Sequence, residues 1–381
     1  MIDRDVETST YSALCDAGIA YRHLGRFGNG RVEGWLEGYV PLKCDDLSDA
    51  NASMAIAREM ARLHCNFELP PGELRDHHHH HHHHHHNHGG TDPNNATKCV
   101  VGLWNQLKDW MAQAKGYDEF RTSEDTRRVR ELKLDEIEVE VRNYITSLGE
   151  DKERIVFRWV IIYWMDDERM KHASMLICVY IYHPSPSNYF RVVGIAALYS
   201  LLFIYIRIVK KKKIIIISHN DLLAANIMRH RESGEIRLID FEYGGTNYAA
   251  FDIANHLNEH AGGTSAEENG IPDYSKFPNL DRQLGFCLEY VRTSRAILSG
   301  GVVGDGDVDD GADDDVCAEA NDLLEQVQKF LLVNHLYWGL WAINQAAVEG
   351  CDEFDYLNFA TSRINEFRAR KEDMARTGTG K

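Results

Sequence analysis

The sequence predicts an α+β protein, with a small β-rich part near the N-terminus and a mainly helical remainder. Residues 21–36 alternate in polarity around Asn29-Gly30, and this dipeptide between two alternating runs is typical of a β-hairpin. The apolar, β-branched run Ile214–Ile217 and the stretch Ile236–Ile239, which follows a turn at Glu232-Ser233-Gly234, predict two further short strands. Elsewhere apolar residues recur at helical spacing, which predicts helices over Ser9–Gly18 (the end of a helix), Ala52–Asn66, Val100–Lys115, Glu124–Leu148, Ala318–Val348 and Tyr356–Lys371.

Glycines and low-complexity runs mark where these elements end. Gly18 follows the first helical pattern and is predicted to stop that helix, because glycine readily adopts the left-handed conformation of a helix C-terminus. The spacing Gly25-x-x-Gly28-x-Gly30 is not that of a phosphate-binding loop and no helix follows it, so we interpret it as turn chemistry. The His-rich stretch 76–98 and the acidic run Asp305–Asp315 have the composition of exposed loops.

The composition is that of an acidic globular protein of 381 residues. Lys and Arg number 42 against 59 Asp and Glu, and the net charge of −17 argues against a protein that neutralises nucleic-acid backbones. Eight cysteines without a Cys-x-x-Cys pair predict reduced thiols, and the N-terminus has no secretory pattern, so we expect a cytoplasmic protein. The uncharged run Val192–Ile206 is shorter than the roughly 20 residues that span a bilayer. We therefore expect no membrane association, with a membrane anchor as the alternative.

The stretch from Ile214 to Asp240 carries the candidate chemistry. The first predicted strand leads into His219-Asn220-Asp221, Asn226 follows on the same loop, and Asp240 ends the second strand. Phosphoryl transfer from ATP needs one carboxylate to accept or orient the proton of the attacking hydroxyl, and further oxygen ligands to hold Mg²⁺ against the phosphates. Taken alone, a His-x-Asp is better explained by a buried pair and a single Asp after a strand by a helix cap. In this order and spacing they predict phosphotransfer.

Several stretches resemble the choline/ethanolamine kinase family, in the order in which the family has them. These are His219–Asn226, Asp240–Tyr248, Phe251–Glu259, Asn334–Trp341 and Phe354–Leu357. The resemblance implies a protein-kinase-like two-lobed fold whose C-terminal lobe is mainly helical. It implies Asp221 as the catalytic base, with His219 bracing the loop from behind. It also implies Asn226 and Asp240 as ligands of Mg²⁺, and ATP as the phosphoryl donor.

The same resemblance implies an amine pocket lined by aromatic residues. Ring faces attract an ammonium group, and a nearby carboxylate adds charge. The substrate-binding residues implied are Glu242, Tyr243, Glu259, Trp338, Trp341 and Phe359. Trp338 and Trp341 are also spaced i, i+3, so a place in a helix core is the alternative for this pair.

The substrate implied is an amino alcohol. The segment Asn258-Glu259-His260-Ala261-Gly262 resembles the ethanolamine branch of the family. A primary ammonium has three donors and favours acceptors, whereas a trimethylammonium has none and favours rings. We therefore expect ATP-dependent phosphorylation of ethanolamine, the entry step of phosphatidylethanolamine synthesis. Choline kinase, or one enzyme acting on both amines, is the close alternative. An aminoglycoside-type phosphotransferase would share the catalytic positions without predicting the two tryptophans.

Two segments depart from the family pattern. Family members begin with strands that bear a phosphate loop and a basic residue, whereas this sequence begins at the following helix, where Glu7 matches the family's helix glutamate. We therefore expect a truncated N-terminal β lobe in residues 1–40 and the catalytic and amine-binding lobe in 41–381. A catalytically weak binding protein is then the alternative of another class. Residues 158–217 are an atypical segment, either read-through of non-coding sequence or an insertion that loops out from a strand end. We expect its last residues, Ile214–Ile217, to serve as a substitute strand. The sequence leaves the oligomeric state open, with a homodimer as one alternative.

Overall fold

Short strands and longer helices alternate along the chain, and the buried apolar residues lie mainly on the helices. The computed structural model describes residues 11–12, 14–27, 30–66, 102–148, 215–265, 267–300 and 314–377. They belong to a unit formed by Met1–Val141 and Lys213–Lys381, except for 142–148, which begin a second unit, Arg142–Lys212. Glu7, the His-rich stretch, the run Val192–Ile206 and almost all of the insertion 158–217 lie outside the described residues.

The N-terminal hairpin and the helix end before it are confirmed. Residues 11–12 and 14–16 are helical, and Gly18 has a φ of 71°, the left-handed conformation predicted for its stop. Strand β1 (His23–Phe27) pairs antiparallel with β2 (Gly30–Glu33), and Phe27 lies opposite Gly30. The dipeptide signal therefore gave the pairing correctly.

Both runs predicted as later strands form strands. The strands after the hairpin are β3 (Tyr39–Pro41), β4 (Ile215–Ser218), β5 (Ile227–His230), β6 (Ile236–Leu238) and β7 (Gly245–Tyr248). One antiparallel sheet has the order β3-β5-β6, and β4 pairs with β7 in a second. Ser218 lies opposite Gly245, so the chain that leaves β4 starts beside the residues that precede β7. The predicted substitute strand is thus part of the framework around residues 219–244.

The helices are named in chain order. They are α1 (Ala50–Asn66), α2 (Gly102–Gly116), α3 (Ser123–Leu132), α4 (Leu134–Ser147), α5 (Ala249–Glu259), α6 (Leu280–Leu298), α7 (Asp314–Glu349) and α8 (Tyr356–Thr377). Helices α5 and α6 have no counterpart among the helices predicted from the sequence. All eleven residues of α5 are buried. Its polar residues Asp252, Asn255, His256 and Glu259 recur at helical spacing, so the period is present in the sequence, but the polar face is buried like the apolar one.

The single helix predicted over Glu124–Leu148 is wrong, because the chain breaks at Lys133. Lys133 has a φ of 56° and ends α3 in the left-handed conformation, and α4 begins at the next residue. Leu132 is the last buried residue of α3, and Ile137 is buried in α4. They are five positions apart, and on a continuous helix this spacing would turn Ile137 away from the face of Leu132. The break allows both apolar stripes to be buried.

Helix α7 lies at the centre of the helical part and contacts α2, α5, α6 and α8. Gly339 lets α8 approach it closely. A Cβ atom at Gly339 would lie 3.3 Å from Cγ1 of Ile364 and 3.7 Å from Cβ of Arg363. A larger residue at this crossing would push α8 away. The close approach brings α8 beside the stretch of α7 that carries Trp338 and Trp341.

Candidate active site

The loop of residues 219–226, called the 219–226 loop below, joins β4 to β5 and is held from below by helix α5. The backbone N–H groups of His219 and Asn220 donate to the two carboxylate oxygens of Asp252, each at 2.8 Å. The N–H of Leu222 donates to Oδ1 of Asn255 at 2.6 Å. Asp252 and Asn255 are three residues apart and so share one face of α5. The helix therefore fixes the backbone of the loop through buried side-chain acceptors.

Asp252 also connects this loop to two more helices. Nε2 of His64, on α1, lies 3.0 Å from Oδ2 of Asp252, and Nδ1 of His64 lies 3.0 Å from the hydroxyl of Tyr290 on α6. Burial alone would raise the pKa of Asp252, but the hydrogen bond and the charge interaction with His64, and further contributions from His219, bring it below its ordinary value. Sequence reasoning assigned no role to Asp252 or His64, although Asp252 lies in one of the stretches that resemble the family.

His219 lies behind the loop. Nε2 of His219 is 2.8 Å from the carbonyl oxygen of Ile239, and the N–H of Asp221 donates to Nδ1 at 3.3 Å. Nδ1 is therefore the acceptor and Nε2 carries the proton, which is the neutral tautomer. Burial lowers the pKa of His219, in agreement with a neutral ring. The imidazole thus ties the loop to the end of β6.

Asp221, Asn226 and Asp240 lie together at the end of the small sheet. Nδ2 of Asn226 donates to the backbone oxygen of Asp221 at 2.9 Å and to its Oδ2 at 3.3 Å. The N–H of Ile239 donates to the backbone oxygen of Asn226 at 3.0 Å, which places Asp240, with a left-handed φ of 63°, directly beyond that pairing. Burial raises the pKa of Asp221 well above its ordinary value. The negative charges of Glu259, Asp240 and Glu242 raise the pKa of Asp221 further.

Asn220 links the loop to the segment that carries Glu242 and Tyr243. Asn220 has a φ of 67°, a conformation that asparagine tolerates better than most residues. Its Nδ2 donates to the backbone oxygen of Tyr243, and its Oδ1 accepts from Nδ2 of Asn247, both at 2.8 Å. Glu242 is half-buried beside them. The loop and the predicted amine-binding segment are therefore one hydrogen-bonded structure.

Four aromatic residues, called the aromatic cluster below, lie next to this segment. They are Tyr243, Trp338, Trp341 and Tyr356. The ring centres of Tyr243 and Trp338 are 5.3 Å apart, as are those of Trp338 and Trp341, and Trp341 lies 5.6 Å from Tyr356. Nε1 of Trp341 donates to the hydroxyl of Tyr243 at 3.0 Å. Burial raises the pKa of that hydroxyl, which stays a neutral phenol.

Phe359 is further from the cluster than its place among the predicted residues implies. The ring centres of Phe359 and Phe354 are 6.2 Å apart. The guanidinium carbon of Arg363 lies 5.3 Å from the ring centre of Phe359. Tyr356, which sequence reasoning did not select, is the aromatic residue of this stretch that contacts Trp341. Tyr356 and Phe359 are three residues apart on α8, and among the described ring contacts it is Tyr356 that packs against Trp341.

Glu259 is the last residue of α5 and is only 4% exposed. Burial raises its pKa to about 7, Arg363 opposes that rise, and Glu268 adds to it. Oε1 lies 3.9 Å from Nη1 of Arg363, and Oε2 has no hydrogen-bond partner among the described residues. The charge of Glu259 also raises the pKa of Asp221 on the 219–226 loop. The structure thus joins Asp221 to Asn226 by hydrogen bonds, and Tyr243, Trp338 and Trp341 by ring contacts, while Glu259 interacts with Asp221 through its charge.

Comparisons with known proteins show which family the chain resembles in sequence and fold. The family model described as choline/ethanolamine kinase matches residues 1–159 and 187–368. Probable choline kinase 2 of Arabidopsis thaliana is 27% identical over 96% of this chain and 72% of its own length. Ethanolamine kinase 1 of Mus musculus is 34% identical over 42% of this chain and 39% of its own length. The chain thus spans well under two thirds of the ethanolamine kinase, whereas it spans most of the plant protein.

Solved structures give the fold. An ethanolamine kinase of Plasmodium vivax superposes with a TM-score of 0.59 at 20% identity, covering 97% of this chain and 74% of the other. A choline kinase of Cryptosporidium parvum superposes with a TM-score of 0.59 at 18% identity, covering 99% of this chain and 80% of the other. The fold is the α+β, protein-kinase-like one expected from the sequence. In the described part of the chain, no helix is both long and apolar enough to cross a membrane.

Proposed function

The chain belongs to the choline/ethanolamine kinase family, and we propose that it transfers the γ-phosphoryl group of ATP to the hydroxyl of ethanolamine. One observation carries the proposal: the half-buried carboxylate of Asp221, on the 219–226 loop, interacts electrostatically with Glu259 and with Tyr243 of the aromatic cluster. A kinase for amino alcohols needs a group that handles the hydroxyl proton close to groups that hold the ammonium. The product, phosphoethanolamine, would enter phosphatidylethanolamine synthesis.

Asp221 is proposed as the catalytic base. Its backbone is fixed by His219 and Asn226, so the carboxylate needs little reorganisation to orient the attacking hydroxyl. In phosphoryl transfer the protein contributes mainly by positioning and by electrostatic stabilisation, and the base accepts the hydroxyl proton as the phosphoryl group leaves ATP. His219 is proposed to act only through the loop, because both of its ring nitrogens already have partners.

Asn226 and Asp240 are proposed to hold Mg²⁺. No cluster of three or more His, Cys, Asp or Glu within the described residues would hold a metal by itself. Mg²⁺ suits this donor set, because it is usually bound by one or two protein oxygens together with phosphate oxygens and water. The amide nitrogen of Asn226 is engaged with Asp221, which leaves its amide oxygen as the ligand atom. When bound, the ion would neutralise charge on the phosphates.

The role of Asp240 can be tested separately from catalysis. Asp240→Ala should weaken nucleotide binding in the presence of Mg²⁺ by about tenfold or more, since it removes a charged ligand of the ion. Binding of ATP without divalent cation should change little. Fluorescence or calorimetric titration of the full chain with ATP, with and without Mg²⁺, measures both. Equal losses under the two conditions would rule out Asp240 as a metal ligand.

Two features of the site favour different amines. The free oxygen of Glu259 suits a primary ammonium, which has three N–H donors. The rings of the aromatic cluster suit any ammonium and favour a trimethylammonium most. We give ethanolamine precedence because a buried acceptor without a partner is costly until a donor satisfies it. Choline, or both amines, is the second candidate, and the aromatic cluster is the observation in its favour.

Kinetics on the full 381-residue chain tests the proposal. The protein is supplied with MgATP and either ethanolamine or choline, and ADP and the phosphorylated amine are both measured. We expect both substrates to be phosphorylated, with the higher kcat/KM for ethanolamine. A higher kcat/KM for choline would overturn the preference for ethanolamine. Binding of MgATP and amine without any phosphoamine product would favour a catalytically inactive binding protein, the alternative of another class.

A further inference from the structure

A fully buried arginine lies directly behind the Glu259 carboxylate. Arg363, on α8, is 0% exposed. A Cβ atom at Gly339 on α7 would lie 3.7 Å from Cβ of Arg363, so the glycine lets the two helices approach closely at this point. Taking a guanidinium out of water is expensive unless charged and hydrogen-bonding partners replace the lost hydration. The burial of Arg363 therefore indicates a role for its positive charge, or for the orientation that it gives to neighbouring side chains.

Three contacts orient the guanidinium of Arg363. Nη2 donates to Oδ1 of Asn334 at 2.6 Å, and the same oxygen accepts from Nδ2 of Asn258 at 2.9 Å. The guanidinium carbon is 5.3 Å from the centre of the Phe359 ring. Nη1 lies 3.9 Å from Oε1 of Glu259. Asn334 and Phe359 thus aim the charge of Arg363 at one oxygen of the Glu259 carboxylate.

The other oxygen of that carboxylate has a different environment. Oε2 of Glu259 is buried and has no hydrogen-bond partner among the described residues. On the basis of the amine kinase function proposed above, we propose that Arg363 is a positioning residue that holds Glu259 through Oε1 and leaves Oε2 to accept a hydrogen bond from a primary ammonium group. A trimethylammonium has no N–H to donate, so the pair selects ethanolamine over choline. Phe359, peripheral to the aromatic cluster, would act in the same way by orienting Arg363.

The charges around Glu259 agree with this role. The titratable and charged groups that face it from the neighbouring segments, or lie beside its partners, are Cys44, Asp221, Glu268, Tyr274, His335 and Arg363. Burial lowers the pKa of His335 well below its ordinary value, so this ring stays neutral. Arg363 is then the cation that opposes the rise in the pKa of Glu259 and so favours its ionised form.

A double-mutant cycle between Arg363→Met and Glu259→Gln tests the inference. The full chain and its variants are titrated calorimetrically with ethanolamine and with choline, and the kinetics of both are measured. Each single variant should bind ethanolamine about tenfold more weakly, and the double variant no more weakly than either. Choline, which never used Oε2 as an acceptor, should lose less than ethanolamine. KM for ethanolamine should rise by more than kcat falls, whereas a merely structural defect would lower kcat for both amines.

Two variants control for misfolding. Arg363→Lys keeps the charge and should bind ethanolamine more tightly than Arg363→Met; if the Met variant does not fold, the Lys variant takes its place in the cycle. Arg368→Gln, on the same helix, removes a half-exposed partner of Glu140 and should leave amine binding unchanged. Multiplying effects in the double variant, or equal losses for the two amines, would overturn the inference. Turnover by the unmodified chain reports on the proposed function independently of either result.

Discussion

The 219–226 loop and the Glu259–Arg363 pair are both buried, but they differ in how their polar atoms are satisfied. In the loop, the N–H groups of His219, Asn220 and Leu222 each donate to a buried side-chain oxygen of α5. Around the pair, Oε2 of Glu259 and both Nε and Nη1 of Arg363 have no hydrogen-bond partner among the described residues. The backbone N–H groups of the loop are thus satisfied by side chains of the protein, whereas the Glu259–Arg363 pair has donors and an acceptor that could still form hydrogen bonds with a ligand.

The energetic meaning of the contrast is direct. A buried polar group without a partner costs about 1–3 kcal/mol, so a ligand that supplies the partner recovers that energy on binding. The loop, whose backbone N–H groups already have hydrogen-bond partners, recovers no such energy on ligand binding. Its contribution is instead a fixed geometry for Asp221. We therefore expect changes in the loop to affect kcat and changes around the pair to affect amine affinity. The predictions below test that division.

The largest effect is expected at Asp221. Asp221→Asn keeps the shape of the side chain but removes the base, and kcat should fall about 1000-fold. The hydrogen bonds from Asn226 and to His219 involve the backbone of residue 221 and remain possible, so affinity for MgATP and ethanolamine should change by about threefold or less. Steady-state kinetics and calorimetric titration measure the two quantities. A loss of binding equal to the loss of kcat would mean that Asp221 is a structural residue.

Asp252 should show the next largest effect, although it does not reach the substrate. Asp252→Asn leaves one oxygen to accept the N–H groups of both His219 and Asn220 and breaks a buried pair with His64. We expect the stability to fall by about 3 kcal/mol and kcat to fall about 100-fold, with KM for ethanolamine nearly unchanged.

Urea unfolding and kinetics at saturating substrate measure these two losses. Asp273→Asn is the control, because Asp273 is an exposed aspartate whose oxygen accepts from the N–H of Ser275, a role that asparagine can take over. An Asp252→Asn variant that is destabilised but has a normal kcat would separate α5 from the positioning of the loop.

Asp221 and Asp252 also show what the sequence can and cannot predict. Asp221, Asn226 and Asp240 lie within one loop and one hairpin, so their linear spacing already predicts that they meet. Asp252 and His64 are 188 residues apart, and nothing local in either helix specifies their hydrogen bond. Helix α5 was missed although Asp252, Asn255 and Glu259 follow a helical period, and the sequence does not show that this polar face is buried against the loop.

The amine side of the site shows the same limit. Trp338 and Trp341 follow each other at helical spacing and were correctly expected to lie together. Which residue of the next stretch reaches Trp341 depends on how α8 crosses α7 at Gly339, and Tyr356 rather than Phe359 does so. The break at Lys133 is a further case, because a shift in the phase of buried residues is visible only once the buried face is known.

A change of pH should affect the pair and not the geometry of the loop. The pKa of Glu259 is raised to about 7 by burial, so the carboxylate is present above that pH and is lost as the pH falls through it. Affinity for ethanolamine should therefore fall about tenfold between about pH 8 and about pH 6, where the amine stays protonated. Calorimetric titration without ATP measures affinity alone. Glu259→Gln should remove this pH dependence, and an unchanged slope in that variant would assign the titration to another group.

The smallest effect is expected from a single hydrogen bond in the aromatic cluster. Trp341→Phe keeps an aromatic ring but removes the donor to the hydroxyl of Tyr243, which should raise KM for ethanolamine about fivefold, or about 1 kcal/mol. Trp104→Phe is a matched control, because Nε1 of Trp104 donates to the hydroxyl of Tyr248 at 3.3 Å, outside the cluster. If Trp341→Phe lowers kcat more than it raises KM, the aromatic cluster positions the reacting hydroxyl. The loop would then not act on kcat alone, nor the aromatic cluster on affinity alone. The two regions meet at Tyr243, whose backbone oxygen accepts a hydrogen bond from Nδ2 of Asn220.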